Sequence, residues 1–313
     1  MSSADWDCST FLGDSTGVRL VEEIGRRIRK ARQELGRDIA YVGLSVPGTV
    51  DGTHTVVRSS RLNIRSPLNV SDVFAHLRLS ECRVFHDTEC LALGEAIRSA
   101  QNNRADSSPP SDCFAYVLVD EGVGASVFLN GEVLKGAGAA GHLGRLVVEP
   151  DGAFNPVFES KGALETFASR PWVSINIVNE YLASQGKGES ATPSPFRSAV
   201  EAASTREEKN VLTVRDIAAG IKENDPIATT VLESGARYLG LGLNAIIAVL
   251  NPPLVVLGGD MITEVPGFAD KAIEYARRFS WSTAWNRTEI RVATATRDVQ
   301  LVGTAHMLRR ELT

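Results

Sequence analysis

Apolar positions recur along this chain in two periods, and their alternation predicts strand-to-helix units. The first block is "VRLVEEIGRRIRKARQELGR", where Leu20, Val21, Ile24, Ile28, Ala31 and Leu35 recur at helical spacing. Arg26, Arg27, Arg29, Lys30 and Arg32 take the other faces, so the segment reads as a solvated crossover helix rather than a DNA or membrane contact. "IAYVGLSVPG" follows as an apolar run closed by Pro-Gly, the pattern of a buried parallel strand. A second unit, "CRVFHDTECLALGEAIRSA", carries polar His86, Asp87 and Glu89 at its junction, where open parallel sheets place ligands.

Downstream, "NNRADSSPPSD" is polar and Pro-rich and reads as a linker between lobes. Two alternating runs around Glu121–Gly124 predict a hairpin, and "LNGEV" predicts a further turn into a strand. "SQGKGESATPSPFRS" reads as a loop or the edge of a helical excursion. Helices resume in "TVRDIAAGIKENDPIATTVLESGARYLGLGLNAIIAVL", with Thr213 as an N-cap and Asn224-Asp225-Pro226 splitting the run in two. The strand "PLVVLGGD" ends in a glycine pair, and no short-period repeat is evident.

Composition narrows the class. The 313 residues suit two lobes, each with its own core, and 43% apolar with 23% charged residues is a globular balance. No apolar run reaches the roughly 20 residues needed to cross a bilayer, and "MSSADWDCST" lacks the basic and apolar regions of a signal peptide. The four cysteines form no Cys-x-x-Cys pair, so a cytoplasmic location is expected without disulfides or a thiolate zinc site. A net charge of −5, with no helix-turn-helix to orient the one basic helix, argues against a nucleic-acid partner.

Seven segments, "VGLSVPGTVDG", "HDTECLALGEA", "VDEGVGASVFLNG", "GAAGHLGRLVVEPDG", "KGALETFAS", "NPPLVVLGGD" and "DVQLVGTAHML", together resemble the ROK family of repressors and sugar kinases, in the actin-like ATPase superfamily. They arrive in family order from roughly Ile39 to the C-terminus. The resemblance implies an α/β, two-lobed actin-like ATPase (ribonuclease H-like) fold with a truncated first lobe, because the opening Asp-x-Gly-Gly-Thr phosphate turn has no counterpart in "DWDCSTFLGDSTG". Residues 1–110 and 300–313 would form the first lobe and 111–299 the second, assembled as a homodimer or tetramer.

The resemblance also implies roles. Asp87 falls at the catalytic base, although an Asp there is also a plausible helix N-cap. His86, Glu89, His142, Arg145 and Glu165 fall at sugar-binding positions, and Gly122, Gly124, Gly258 and Gly259 at nucleotide-binding ones. Several positions depart from the pattern. His86 replaces an asparagine, and Asp120-Glu121-Gly122 replaces the Gly-Thr-Gly phosphate loop with two carboxylates that repel polyphosphate. His142 and Arg145 stand where Glu and His of Glu-x-Gly-His are expected. Pro156, Phe158 and Ala163 replace three zinc cysteines, so no structural zinc is expected and apolar packing by Pro156 and Phe158 would fill the space. His86, His142 and Glu165 would be proper ligands for a new metal site if the fold brought them together.

The leading expectation is a non-kinase carbohydrate-binding sensor that prefers a sugar phosphate or uronate, because Arg145 offers a forked cation. The alternatives are a sugar kinase using ATP and Mg²⁺ with Asp87 as base, or a divergent sugar-modifying enzyme built on His86, Asp87 and His142.

Overall fold

The computed structural model describes residues 9–59, 61–79, 81–102, 113–136, 139–156, 159–185, 194–206, 211–293 and 298–312. The chain divides into two compact units: unit 1 holds Met1–Ala105, Lys135–Ala140 and Thr296–Thr313, and unit 2 holds Asp106–Leu134 and Gly141–Ala295.

Unit 1 opens with α1, Val18–Leu35, whose apolar stripe buries Leu20 and Val21. Its cations stay largely in water, paired along the helix as Arg26 and Arg27 to Glu23. Arg32 differs: its guanidinium turns inward and donates to the carbonyls of Leu77 and Ile39, each at 2.6 Å. Next come β1 Tyr41–Val46, β2 Thr49–Val50, β3 Thr55–Arg58, β4 Leu68–Asn69, α2 Val70–Val73, β5 Glu81–His86 and α3 Asp87–Asn102. β2, β3 and β4 form an antiparallel meander, while β1 and β5 pair in parallel from Tyr41–Glu81 to Val46–His86. Full burial of β1 is not what the structure shows. Its residues are half-exposed and Tyr41 is exposed, because among the described residues β1 has one strand neighbour and a strand needs cover on both sides to be dry.

The C-terminal helix, Asp298–Glu311, crosses α3 at van der Waals closeness. A methyl on Gly303 would lie 1.8 Å from the Cys90 carbonyl oxygen, and one on Gly94 would lie 1.9 Å from that of Val299. The same helix sets Thr304 and Leu308 against Gly43 of β1 and donates Gln300 Nε2 to Ser45 Oγ at 2.8 Å. The expected linker starts as the end of α3, and residues 103–112 lie outside the described ones.

Unit 2 begins with the predicted hairpin, β6 Cys113–Val119 and β7 Val123–Leu129, and turns at Asn130-Gly131 into β8 Glu132–Val133. A small antiparallel pair, β9 Phe154–Asn155 and β10 Ser160–Lys161, precedes α4 Glu165–Ala168 and α5 Arg170–Gln185. Then follow α6 Pro195–Ser204, α7 Val214–Lys222, α8 Pro226–Leu250, β11 Leu254–Gly258, α9 Asp260–Glu264, α10 Phe268–Phe279, α11 Ser282–Trp285 and β12 Glu289–Val292. The sheet runs β12–β11–β6–β7–β8, parallel through β6 and antiparallel beyond it. Alternate residues Ala115, Val117 and Val119 of β6, with Val255 and Leu257 of β11, join Leu239, Leu243 and Ile246 of α8 in one buried core. Each of these buried valine, leucine and isoleucine side chains contributes about 1.5–3 kcal/mol.

The stretch expected to be a loop ends sooner than its composition suggests, since Ser194 caps α6 through the Arg197 N–H; residues 186–193 lie outside the described ones. The expected split at Asn224-Asp225-Pro226 is observed, with Asp225 Oδ1 accepting from the N–H groups of Ile227 and Ala228 and Oδ2 paired to Arg197. Thr213 caps α7 in a full capping box with Asp216. Thr213→Ala should cost about 1 kcal/mol in urea denaturation, and an unchanged midpoint would contradict that role.

Candidate functional site

Two groups of polar residues sit at strand ends, one in each unit. In unit 1, β5 ends at His86 and α3 begins at Asp87. Asp87 is buried, and its Oδ1 accepts from the Thr88 N–H at 2.7 Å and the Thr88 hydroxyl at 3.2 Å. That is not an N-cap, which would take the N–H two or three residues on. The ring of His86 approaches with Nδ1 at 3.4 Å from Oδ1. Glu89 is half-buried one turn into α3, and that burial pushes its carboxyl above the usual carboxylate range.

A second cluster in unit 1 carried no signal in the sequence. His54 lies between the Val84 carbonyl, 2.9 Å from Nδ1, and Glu311, 3.0 Å from Nε2, with Arg83 3.5 Å from the same Glu311 oxygen. It ties the last turn of the C-terminal helix to β5.

In unit 2 the focus is Glu165, the first residue of α4. Its Oε2 accepts the Val123 N–H at 3.2 Å from the β6–β7 turn. A methyl on Gly122 would lie 3.1 Å from that oxygen and one on Gly144 2.9 Å, so two glycines make the space the carboxyl occupies. Burial raises the Glu165 carboxyl to about 7, against the opposing pull of the Val123 N–H and the Arg145 charge. His142 precedes a single 3₁₀ turn, Leu143–Arg145, and the Arg145 N–H closes it onto the His142 carbonyl at 3.0 Å. Arg145 itself is exposed. Glu165, Gly122 and Arg145 are thus brought together, with His142 at the start of the same turn.

The remaining glycines are less specific. Gly124 lies within the β7 ladder opposite Leu118. Gly258 ends β11 and Gly259 follows it, and added methyls would lie 2.0 Å from the Tyr116 hydroxyl and 2.3 Å from the Val119 carbonyl. Packing alone therefore demands both, whatever else they touch.

The β6–β7 turn is held by a residue that sequence reading missed. Arg170 Nε donates to Glu121 Oε1 at 2.6 Å, Nη2 joins the same oxygen, and Nη1 donates to the Leu212 carbonyl at 2.8 Å. No local motif marks this pairing, since the partners lie 49 residues apart.

The loop from Leu146 to Leu164, where the family pattern has its cysteines, is closed by backbone hydrogen bonds. The Gly162 carbonyl accepts from Val148 and Glu149, and the Leu164 N–H donates to Leu146. Pro156 is exposed and Leu146, Val147 and Phe154 also face solvent, so the expected apolar plug is not formed by Pro156; Phe158 lies outside the described residues. Among the described residues no group of three His, Cys, Asp or Glu could hold a metal ion, and His86 belongs to a different unit from His142 and Glu165. Among them also, no helix is long and apolar enough to cross a membrane.

Comparison with known proteins gives the lineage. The chain is 22% identical to a glucokinase of Halalkalibacterium halodurans over 88% of its own length and 77% of that protein. It is 27% identical to the DNA-binding transcriptional dual regulator NagC of Escherichia coli K12 over 82% of its own length, and spans 56% of that regulator. A ROK family glucokinase from Streptomyces griseus, solved with glucose and AMPPNP, superposes with a TM-score of 0.71 at 21% identity, covering 95% of this chain and 89% of that one. That likeness shows the fold to be the two-lobed actin-like ATPase fold of ROK sugar kinases. The family model for ROK matches residues 14–311, and the chain belongs to the ROK family.

Proposed function

We propose that this chain is a carbohydrate-binding ROK protein that senses a sugar rather than phosphorylating it, and that its ligand is anionic. The observation that carries this reading is the β6–β7 turn. A loop serving a triphosphate offers N–H groups and hydroxyls to the anion. Here the turn carries Asp120 and Glu121, its Val123 N–H is spent on Glu165, and the nearby Arg170 is committed to Glu121. These residues do not fit a nucleotide triphosphate with Mg²⁺. Arg145, exposed beside the half-buried Glu165, supplies a cation for a phosphate or carboxylate on the sugar.

Calorimetry on the intact chain should show glucose 6-phosphate or glucuronate binding at least about tenfold more tightly than glucose, the worth of one charge-assisted hydrogen bond. Arg145→Gln should erase that preference. Equal affinity for neutral and anionic sugars would remove the anionic step.

One observation favours a second reading, a sugar kinase with Asp87 as general base. Asp87 is buried at a strand end with Oδ1 anchored by Thr88, leaving Oδ2 for a substrate hydroxyl. Single-turnover assays with ATP, Mg²⁺ and a hexose panel separate the two readings. Phosphorylated sugar that disappears in Asp87→Asn would displace the sensor reading.

A further inference from the structure

We propose that Arg170 is a positioning residue, holding the β6–β7 turn against Glu165 and so fixing the geometry of the carboxyl in the site. The inference rests on the sugar-site reading of Glu165 for its functional consequence, though not for the geometry itself.

The contacts form a closed ring. The Glu165 backbone carbonyl accepts from the Ser169 N–H at 3.2 Å and the Ser169 hydroxyl at 2.9 Å. Arg170 follows, and its own N–H donates to the Asp120 carbonyl at 2.8 Å. Its side chain grips Glu121 through Nε and Nη2, while Nη1 braces against the Leu212 carbonyl. The Leu212 N–H is in turn fixed by Ser174 Oγ at 3.0 Å. Within the turn the Asp120 N–H donates to the Gly122 carbonyl at 2.9 Å, and Val123 then donates back to Glu165 Oε2.

Every link from Arg170 to the Glu165 carboxyl is thus a hydrogen bond or a covalent neighbour. A planar guanidinium can engage a carboxylate and a carbonyl at once in fixed directions, which an ammonium cannot. Glu121 is half-buried and Arg170 more so, so the pair is shielded enough to be directional. If the grip on Glu121 is lost, the turn can lift, Gly122 and Val123 leave Glu165, and water enters.

The readout is the titration of Glu165 itself, followed by NMR on protein labelled with ¹³C at the glutamate carboxyl. In wild type the midpoint is expected at about 7. In Arg170→Gln and Glu121→Ala it should fall by about one pH unit or more, because rehydration removes the cause that raised it. Glu121→Gln keeps an oxygen for Arg170 Nε and should hold the wild-type midpoint. Arg170→Lys should fall with the Gln variant, because charge alone does not brace the turn. A residue that merely stabilised the fold would lower the melting temperature and leave the titration at about 7 in the folded protein; that result overturns the proposal. Should Arg170→Gln not fold, Glu121→Ala makes the same test from the other side of the pair. Glucose 6-phosphate affinity is expected to drop about tenfold in step with the midpoint. A midpoint that moves while affinity holds would refute the sugar-site reading of Glu165 and leave the positioning role standing.

Discussion

Gly162→Ala is expected to destabilise unit 2 by more than about 4 kcal/mol, in the range reserved for mutations that strain the backbone or overpack a buried site. Gly162 has a φ of +62°, which alone costs an alanine roughly 1–2 kcal/mol. Steric collision costs more. A methyl built there lies 1.5 Å from the Glu149 carbonyl oxygen and 2.4 Å from its carbon, atoms of backbone that cannot rotate away. Moving them breaks the pairing of Val148 and Glu149 with the Gly162 carbonyl and of the Gly162 N–H with Ala153. Gly36, at the end of α1, is the control: its φ is +61°, but a methyl there meets nothing within 4 Å. Gly36→Ala should cost about 1 kcal/mol or less. Chemical denaturation of the two variants separates conformational strain from collision, and equal costs would show that the Gly162 loop relaxes freely. Because the loop leads directly into Glu165, Gly162→Ala should also displace that carboxyl and, on the sensor function we propose, abolish binding of an anionic sugar there.

Glu165→Gln should stabilise the protein at alkaline pH and not at acid pH. The carboxyl sits at about 7 in the folded chain against an ordinary 4.5, so between those values the folded state binds more proton than the unfolded state. Stability contributed by this residue is therefore fully present below about 4.5 and falls as pH rises toward 7. Above that, the buried anion costs about 3 kcal/mol at 1.36 kcal/mol per unit of difference. Glutamine mimics the protonated acid, still accepting from Val123, and carries no charge to bury. The variant should thus match wild type near pH 4.5 and exceed it by about 3 kcal/mol at pH 8. Urea midpoints measured at both pH values test this; a difference that does not grow with pH would mean Glu165 is already ionised and solvated.

Much of the architecture was legible because local physics governed it. The basic amphipathic helix, the hairpin about Glu121–Gly124, the Asn130-Gly131 turn, the Thr213 cap and the break at Asp225-Pro226 each follow from spacing, capping or turn chemistry within a few residues, and each is observed. The family followed from seven short motifs in order, which a single coarse pattern could not have supplied. Glu165 was named from its motif, and it does face the turn and the 3₁₀ segment that carry the altered positions.

What composition could not reveal lay in contacts between distant residues. The half-exposure of β1 depends on how many strands flank it, not on its apolar run. Arg32 looks like any other cation of α1 until the carbonyls of Leu77 and Ile39 capture it. Arg170 opens α5 and carries no local motif, yet its side chain reaches Glu121, 49 residues away. The order of residues was enough to set the basic helix, the hairpin, the Asn130-Gly131 turn, the Thr213 cap and the break at Asp225-Pro226, because propensities, caps and turn residues act over one or two turns of chain. It took the folded chain to half-bury Glu165 and raise its carboxyl, and to bring Arg170 onto Glu121 beside it. Folding likewise turned Gly162 into a position with no room for a methyl, because desolvation and steric closeness are properties of what the rest of the chain brings alongside.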